Sequence, residues 1–327
     1  MHIGKIRAAM GAVAMCLGVA FSAQAADQYP AKPVKIIVPY TPGAINDVLA
    51  RAMGAELSEE LGQTAIVENR PGAGSVIGTN YVAKSNPDGY TILQVPAAYA
   101  INAALRSDLP YDSVKDFDFV ALAATSPFLL IVKADSEYKT VADLVNKAKQ
   151  NPGKLSFAST GNGGNAHMMG EMLRGLAGID VLHVPYKGAA QAITDLVGGQ
   201  LDFTFSTYTG ASAVLKGGLV RALAITGNKR SPSFAQIPTI AESGYPDYNA
   251  AGWWAYAVPA GTPKPVVDKL NKAINKTLSN PDFAKRFAAE GLDITGGTPE
   301  AATKFIHDDI AVWKRVVKEF HINLQGN

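Results

Sequence analysis

Two segments of this chain place residues able to hold an anion without any charged side chain. The first, Val38-Pro39-Tyr40-Thr41-Pro42-Gly43-Ala44-Ile45-Asn46-Asp47-Val48, passes from a β-branched run through a Pro/Gly turn into a helical period. The first backbone N–H groups of a helix lack intrahelical acceptors, and the helix dipole adds partial positive charge there, so an anion is favoured at that end. Asn46 or Asp47 can cap the same helix. An ordinary strand-to-helix turn has the same composition, so this segment alone leaves both readings open. The second segment is Ala158-Ser159-Thr160-Gly161-Asn162-Gly163-Gly164-Asn165-Ala166-His167, whose glycines let a ligand approach the backbone. In an open α/β sheet, ligands lie beyond the carboxyl ends of the strands, so two such turns can face each other across a cleft and hold a carboxylate from both sides.

A third glycine-rich stretch, Glu68 to Gly78, contains Gly72-Ala73-Gly74-Ser75-Val76-Ile77-Gly78. A dinucleotide fingerprint needs its last glycine three residues after the second, whereas here the spacing is four. We read it as a structural turn leading into a helix, with Ser75 as a contributor to the pocket. Tyr208 and Thr209 follow an apolar run at 203–205; they can reach the same cleft or simply begin a helix. Trp253 and Trp254 read as core packing at a crossover. His183, His307 and His321 are scattered and read as hydrogen-bonding residues, while His167 stands just inside the helix of the second turn. The sequence has no nucleophile-elbow pentapeptide, no two-histidine metal helix and no phosphate loop ending in Gly-Lys. No cofactor and no metal are expected.

The elements that must position these turns follow from hydrophobic period. Apolar β-branched runs at 34–39, 90–95, 119–124 and 128–132 alternate with helical patterning such as 47–61, and the rhythm resumes at 155–158, 181–185, 203–205, 220–226 and 254–258. This predicts an α/β fold with largely parallel sheets in two units. Helices are expected at 165–176 and 189–197. Val266, Val267, Leu270, Ile274 and Leu278 share one helical face, Thr262-Pro263 opens that helix, Asn280-Pro281 ends it, and Thr298-Pro299 starts a last long helix. No Gly/Ser linker separates the units, so the chain is expected to cross between them near Thr125 and Gly252, as short hinges.

Composition narrows the function. Lys5 and Arg7, an apolar run from Ala8 to Phe21 and Ala23-Gln24-Ala25 have the layout of a cleaved secretory leader, and about 14 apolar residues are too few for the roughly 20 that span a bilayer. The lone cysteine, Cys16, lies in this leader and follows Met15 rather than a small residue, so a lipoprotein site is not expected. The mature chain then has no thiol chemistry, and hydrophobic burial alone must stabilise it, for which 47% apolar residues suffice. Removing Lys5 and Arg7 leaves 28 basic residues against 28 acidic ones, which argues against nucleic acid as a partner. No later run reaches membrane-spanning length, so no direct membrane insertion is expected after cleavage.

Further motifs accompany the two turns: Pro87-Asp88-Gly89-Tyr90-Thr91, His183-Val184-Pro185-Tyr186-Lys187-Gly188, Pro238-Thr239 with Glu242-Ser243-Gly244-Tyr245-Pro246, and Pro259-Ala260-Gly261-Thr262-Pro263. With Val38-Pro39-Tyr40, Pro42-Gly43, Asp47 and Glu68 to Gly74, their order and spacing resemble the Bug family, the extracytoplasmic binding proteins of tripartite tricarboxylate transporters, across essentially the whole mature chain. The resemblance implies a type II periplasmic-binding-protein fold of two α/β lobes, here 26–125 with 252–327, and 126–251, after a leader at 1–25. It also implies a small organic carboxylate as ligand and the membrane subunits of a transporter as partners. Carried over by position, Tyr40, Thr41, Pro42, Gly43, Ala44, Ile45, Asn46 and Asp47 would serve the first lobe, and Thr160, Gly161, Gly163, Gly164, Asn165 and His167 the second. The chain departs from the family at Ala44 and Ile45, where a second glycine and a small polar residue are usual, and at Asn162 and Asn165, where smaller hydroxyl residues are common. The bulkier, apolar Ile45 shifts the expected ligand from citrate-like acids towards a dicarboxylate or aromatic acid. Two other uses stay open at this stage. One is a periplasmic enzyme with His167 as general base and Asp47 as its orienting carboxylate; the other is a sensory module docking on a receptor kinase.

Overall fold

The computed structural model describes residues 29–322, so the leader sequence lies outside the described residues. The chain lays down β1 (Val34–Val38), β2 (Ala65–Asn69), β3 (Thr91–Pro96) and β4 (Phe117–Ser126). It then crosses to build a second sheet from β5 (Leu129–Lys133), β6 (Ser156–Ser159), β7 (Leu182–Pro185), β8 (Phe203–Ser206) and β9 (Val220–Ile225). It returns with β10 (Gly252–Pro259) and the short β11 (Asp293–Ile294), giving the spatial orders β11-β4-β10-β3-β1-β2 and β7-β6-β8-β5-β9.

Both sheets are mixed rather than largely parallel. β1 runs parallel to β2 and β3, and β6 parallel to β7 and β8, but β10 is antiparallel to β3 and β4, and β5 is antiparallel to β8 and β9. The crossovers dictate this. The chain leaves the first sheet along β4 and re-enters along its neighbour β10, with Ser126 opposite Gly252, so the two strands must run in opposite directions. Immediately beyond, Phe128 and Thr226 are tied by a reciprocal pair of hydrogen bonds, Phe128 N to Thr226 Oγ1 and Thr226 N to Phe128 O, both 2.8 Å.

Helices cover the sheets because each buries one apolar stripe. Around the first sheet lie α1 (Ile45–Leu61), α2 (Val76–Ala83) and α3 (Ala98–Leu105); around the second lie α4 (Val141–Gln150), α5 (Asn165–Ala177), α6 (Ala189–Val197) and α7 (Tyr208–Lys216); α8 (Lys264–Leu278), α9 (Pro281–Ala288) and α10 (Pro299–Glu319) follow. Leu49, Met53 and Leu57 of α1 share a core with Val266, Leu270 and Ile274 of α8. A second core runs without a break from α3 and α10 to α5 and the adjoining face of the second sheet, joining Tyr99, Ile306 and Trp313 to Met168, Met172 and Phe205. The chain after α10 extends this contact: the Phe320 ring lies where a Cβ on Gly175 of α5 would stand, within 2.3 Å. The helix starts are written locally. Thr140 and Asp143 form a reciprocal capping box on α4, and Thr298 caps α10 ahead of Pro299.

Close packing of α5 on β6 generates a test whose sign is informative. A Cβ on Gly170 would fall 2.1 Å from the Phe157 ring, which is itself fully buried. Gly170→Ala is therefore expected to lower stability by about 1–3 kcal/mol, although alanine is the better helix former by about 1 kcal/mol. Urea unfolding measures this, and a raised midpoint would show that the Phe157 ring yields.

Candidate functional site

The two glycine turns end β1 and β6 and begin α1 and α5, one from each sheet. Both helix starts lack a side-chain cap from the N-cap residue itself, Ala44 in one and Gly164 in the other, each with an extended backbone. Instead, each turn is closed from below by the residue at the third helical position. Asp47 Oδ2 accepts the Gly43 amide at 3.0 Å, and His167 Nδ1 accepts the Gly163 amide at 3.0 Å. Gly43, Gly161 and Gly163 have φ of 91°, 120° and 74°, a region that side chains with a Cβ disfavour, so glycine is required to bend the chain this way.

What supports each closure differs. The Asp47 carboxylate is buried and its remaining lone pairs are filled: Arg51 donates from Nε at 2.9 Å, and Asn69 Nδ2 donates to Oδ1 at 2.9 Å while also reaching the Tyr40 carbonyl at 3.0 Å. The Arg51 hydrogen bond, ahead of opposing burial, holds Asp47 below the usual carboxylate range. Under the second turn lies a stacked pair of imidazoles, His167 and His183, with centroids 3.9 Å apart. Burial first, then the His183 and Arg174 charges, push His167 down to about 4; burial and Arg174 push His183 to about 4 as well. His183 Nε2 lies 2.7 Å from Ser159 Oγ, which accepts the Gly161 amide at 3.1 Å. Glu171, raised by burial, pairs with Arg174 at 2.7 Å beside them. Neutral nitrogen and hydroxyl acceptors thus shape the second turn, whereas an ion pair shapes the first.

Residues of both turns line one cavity of about 480 Å³, within the roughly 300–1,000 Å³ of small-molecule sites. Of the residues expected from sequence, Tyr40, Ile45, Asn46, Thr160, Gly161, Gly163, Gly164 and Asn165 stand in its wall. Asn46 is oriented by the indole of Trp254, a donor only, which gives its hydrogen to Asn46 Oδ1 and so turns the amide NH₂ elsewhere. Asn165 Oδ1 is buried with no hydrogen-bond partner among the described residues.

The other expected residues stand outside the wall, each for a visible reason. Thr41, Pro42, Gly43 and Ala44 form the exposed outer part of the turn. Asp47 and His167 are consumed beneath the turns. Ser75 is buried in the turn ahead of α2, where its Oγ lies 3.4 Å from Asn102 Nδ2. Tyr208 faces away, packing on Phe234 and over Gly291, and Thr209 is exposed; the residues just before them, Ser206 and Thr207, reach the cavity instead. Sequence reasoning missed Ala97, Ala98, Asn102, Leu105 and Arg106 on and beside α3, and Phe128 at the crossover. It read Trp253 and Trp254 as packing only, yet they form part of the wall while buried. The helix Ala98–Leu105 carries one polar residue, Asn102, and no polar stripe to mark an exposed face, so no periodicity signal was available for it.

Comparison with known proteins adds to this geometry. The family model described as tripartite tricarboxylate transporter family receptor matches residues 49–322. The protein BugT of Bordetella pertussis is 35% identical over 321 residues, covering 98% of each chain. Among solved structures, R. palustris Rpa4515 with adipate superposes with a TM-score of 0.79 at 33% identity, covering 90% of this chain and 99% of its own. MatC (Rpa3494) from Rhodopseudomonas palustris with bound malate gives 0.76 at 30% identity, covering 88% and 100%.

The imidazole pair sets a pH dependence. Histidines in the unfolded chain titrate near 6.5, whereas His167 in the fold titrates near 4. Between these values the unfolded chain binds more protons, so stability is complete above pH 6.5 and drains as the pH falls towards 4, by on the order of 3 kcal/mol from His167. Thermal melts between pH 7 and 5 should show the loss. His167→Asn keeps an acceptor for the Gly163 amide and should flatten the slope; equal slopes in both proteins would place the titration elsewhere.

Proposed function

This chain belongs to the family of tripartite tricarboxylate transporter receptors, and we propose on that premise that it is a periplasmic solute-binding protein that captures one small organic carboxylate between its two sheets. The observation that carries the reading is that uncapped helix starts from two different sheets line a single cavity. A carboxylate there accepts hydrogen bonds from backbone amides with fixed directions, and charge-assisted bonds of this kind are about twice as strong as neutral ones. That similar structures carry adipate and malate supports the same ligand class here.

In this proposal the chain is exported by its leader, cleaved near Ala25, and folds as two lobes, 26–125 with 252–327, and 126–251. Rotation occurs at the neighbouring crossovers, where Ser126 faces Gly252. Closure removes water from the carboxylate and creates the shape read by the membrane subunits of the transporter. Binding without turnover is supported by the state of the two side chains that catalysis would need. His167 Nδ1 is occupied by the Gly163 amide, and both Asp47 oxygens are occupied by Gly43, Asn69 and Arg51. The body of the ligand meets Ile45, Phe128, Phe205, Trp253 and Trp254, which favours a dicarboxylate or aromatic acid with an apolar frame over a citrate-like one.

Because both tryptophans of the wall report on occupancy, fluorescence titration with candidate acids should give a saturable change while chromatography of the mixture finds no product. Asn46→Asp keeps the acceptor for Trp254 but adds a negative charge to the cavity, and it should weaken carboxylate binding at least about tenfold with little change in melting temperature. Unchanged affinity would remove the first turn from the site. In a thermal-shift panel, citrate giving the largest stabilisation would overturn the ligand preference.

A further inference from the structure

One ionised side chain stands in the cavity wall among the described residues, and it is not in either turn: Arg106, at the carboxyl end of α3. We infer that Arg106 is the counter-ion for a second, distal carboxylate, so that the protein selects elongated diacids with an apolar middle. The inference rests on the carboxylate-binding reading above and deepens it.

The position of α3 gives the cavity a direction. At its amino end, the Ala97 amide donates to the Trp253 carbonyl at 3.0 Å, and Pro96 pairs with Trp254, the residue that orients Asn46. This end therefore adjoins the first turn. Ala98, Asn102 and Leu105 recur at four- and three-residue spacing, so one face of the helix forms a wall of the cavity, and Arg106 closes it. At 1.5 Å per residue, Arg106 lies about 12 Å from Ala98 along the axis. The Arg106 side chain folds back by one turn, its Nε reaching Asn102 Oδ1, so the guanidinium stands nearer the first turn than this axial distance.

Arg106 is held for such a role. Its Nε donates to Asn102 Oδ1 at 3.3 Å, and Asn102 Nδ2 donates to the Gly74 carbonyl at 2.7 Å, so the strained turn at Ala73 to Ser75, whose φ values are all positive, steadies the base of the arginine. No carboxylate among the described residues forms an ion pair with it. Arg106 also borders a shallower surface hollow with Tyr111, Asp112 and Asp116, which defines the rival role of a purely structural residue. Charge balance favours the first. Each helix start supplies about half a positive charge, so the two together answer one carboxylate. A second one, stripped of water on closure, needs a full charge of its own.

Calorimetric titration of the full mature chain with unbranched diacids of four to eight carbons and the matching monoacids tests this. The wild type should bind the longer diacids at least about tenfold tighter than monoacids of equal length. Arg106→Gln should bring that ratio close to one, with Arg106→Lys in between, and all three proteins should melt cooperatively. A ratio unchanged in Arg106→Gln, or a wild-type preference for the four-carbon diacid, overturns the role of Arg106 while leaving the carboxylate reading intact. If the folded wild type binds none of these acids, the role of Arg106 falls; if it also binds none of the aromatic and branched acids in the fluorescence titration, the carboxylate reading falls with it.

Discussion

The structure depends on how the two glycine turns are held at the starts of α1 and α5, whose N-cap residues supply no side-chain cap. Left alone, such a turn would relax until a local oxygen satisfied it, because buried or half-buried N–H groups seek acceptors. The chain prevents this by reaching back from the third helical residue to the glycine before the N-cap, with Asp47 on Gly43 and His167 on Gly163. One amide of each turn is thereby spent to fix the others. The same mechanical task is done by an anion in one half and a neutral ring in the other. In the proposed reading a buried carboxylate behind the turn would oppose an anionic ligand, and Arg51 offsets that charge. The histidine needs no such partner.

The second constraint is topological. Strands that leave and re-enter the first sheet side by side must be antiparallel, so each sheet carries a parallel part that delivers a turn to the cavity and an antiparallel part that connects the two units. The ligand wall and the connection are therefore the same piece of chain in places. Phe128, Gly252 and Trp253 belong to both. A Cβ on Gly252 would stand 3.1 Å from the Phe128 ring and 3.3 Å from the Ser126 carbonyl, so the crossover is tightly packed at this residue.

Much of this was legible in the residues themselves. The alternation of apolar runs with helical periods showed an α/β chain. Thr298-Pro299 marked a helix start and Asn280-Pro281 the end of α8, although Asn280 also caps α9, which the sequence reading did not separate, and the two glycine turns marked the starts of α1 and α5. The sense of the strands was not legible, because β10 and β5 look like any buried strand and their direction is set by where the chain crosses. Nor was the use of Asp47 and His167. Spacing placed them at the helix starts, but whether a side chain points at a ligand or tucks under a turn depends on acceptors such as Asn69 that are distant in sequence. Arg106 was invisible for a different reason. Nothing in its neighbours announces a wall, since α3 is apolar except for Asn102 and is buried by tertiary contacts rather than by its own pattern.

The pairing of Ser126 with Gly252 fixes more than strand sense. Two attachments lying next to each other define a line, and bodies joined along a line turn like the covers of a book rather than like a ball in a socket. Displacement in such a turn grows with distance from the spine. If the cleft closes as proposed, Phe128 and Trp253, which lie at this line and in the cavity wall, are the part of the wall that moves least.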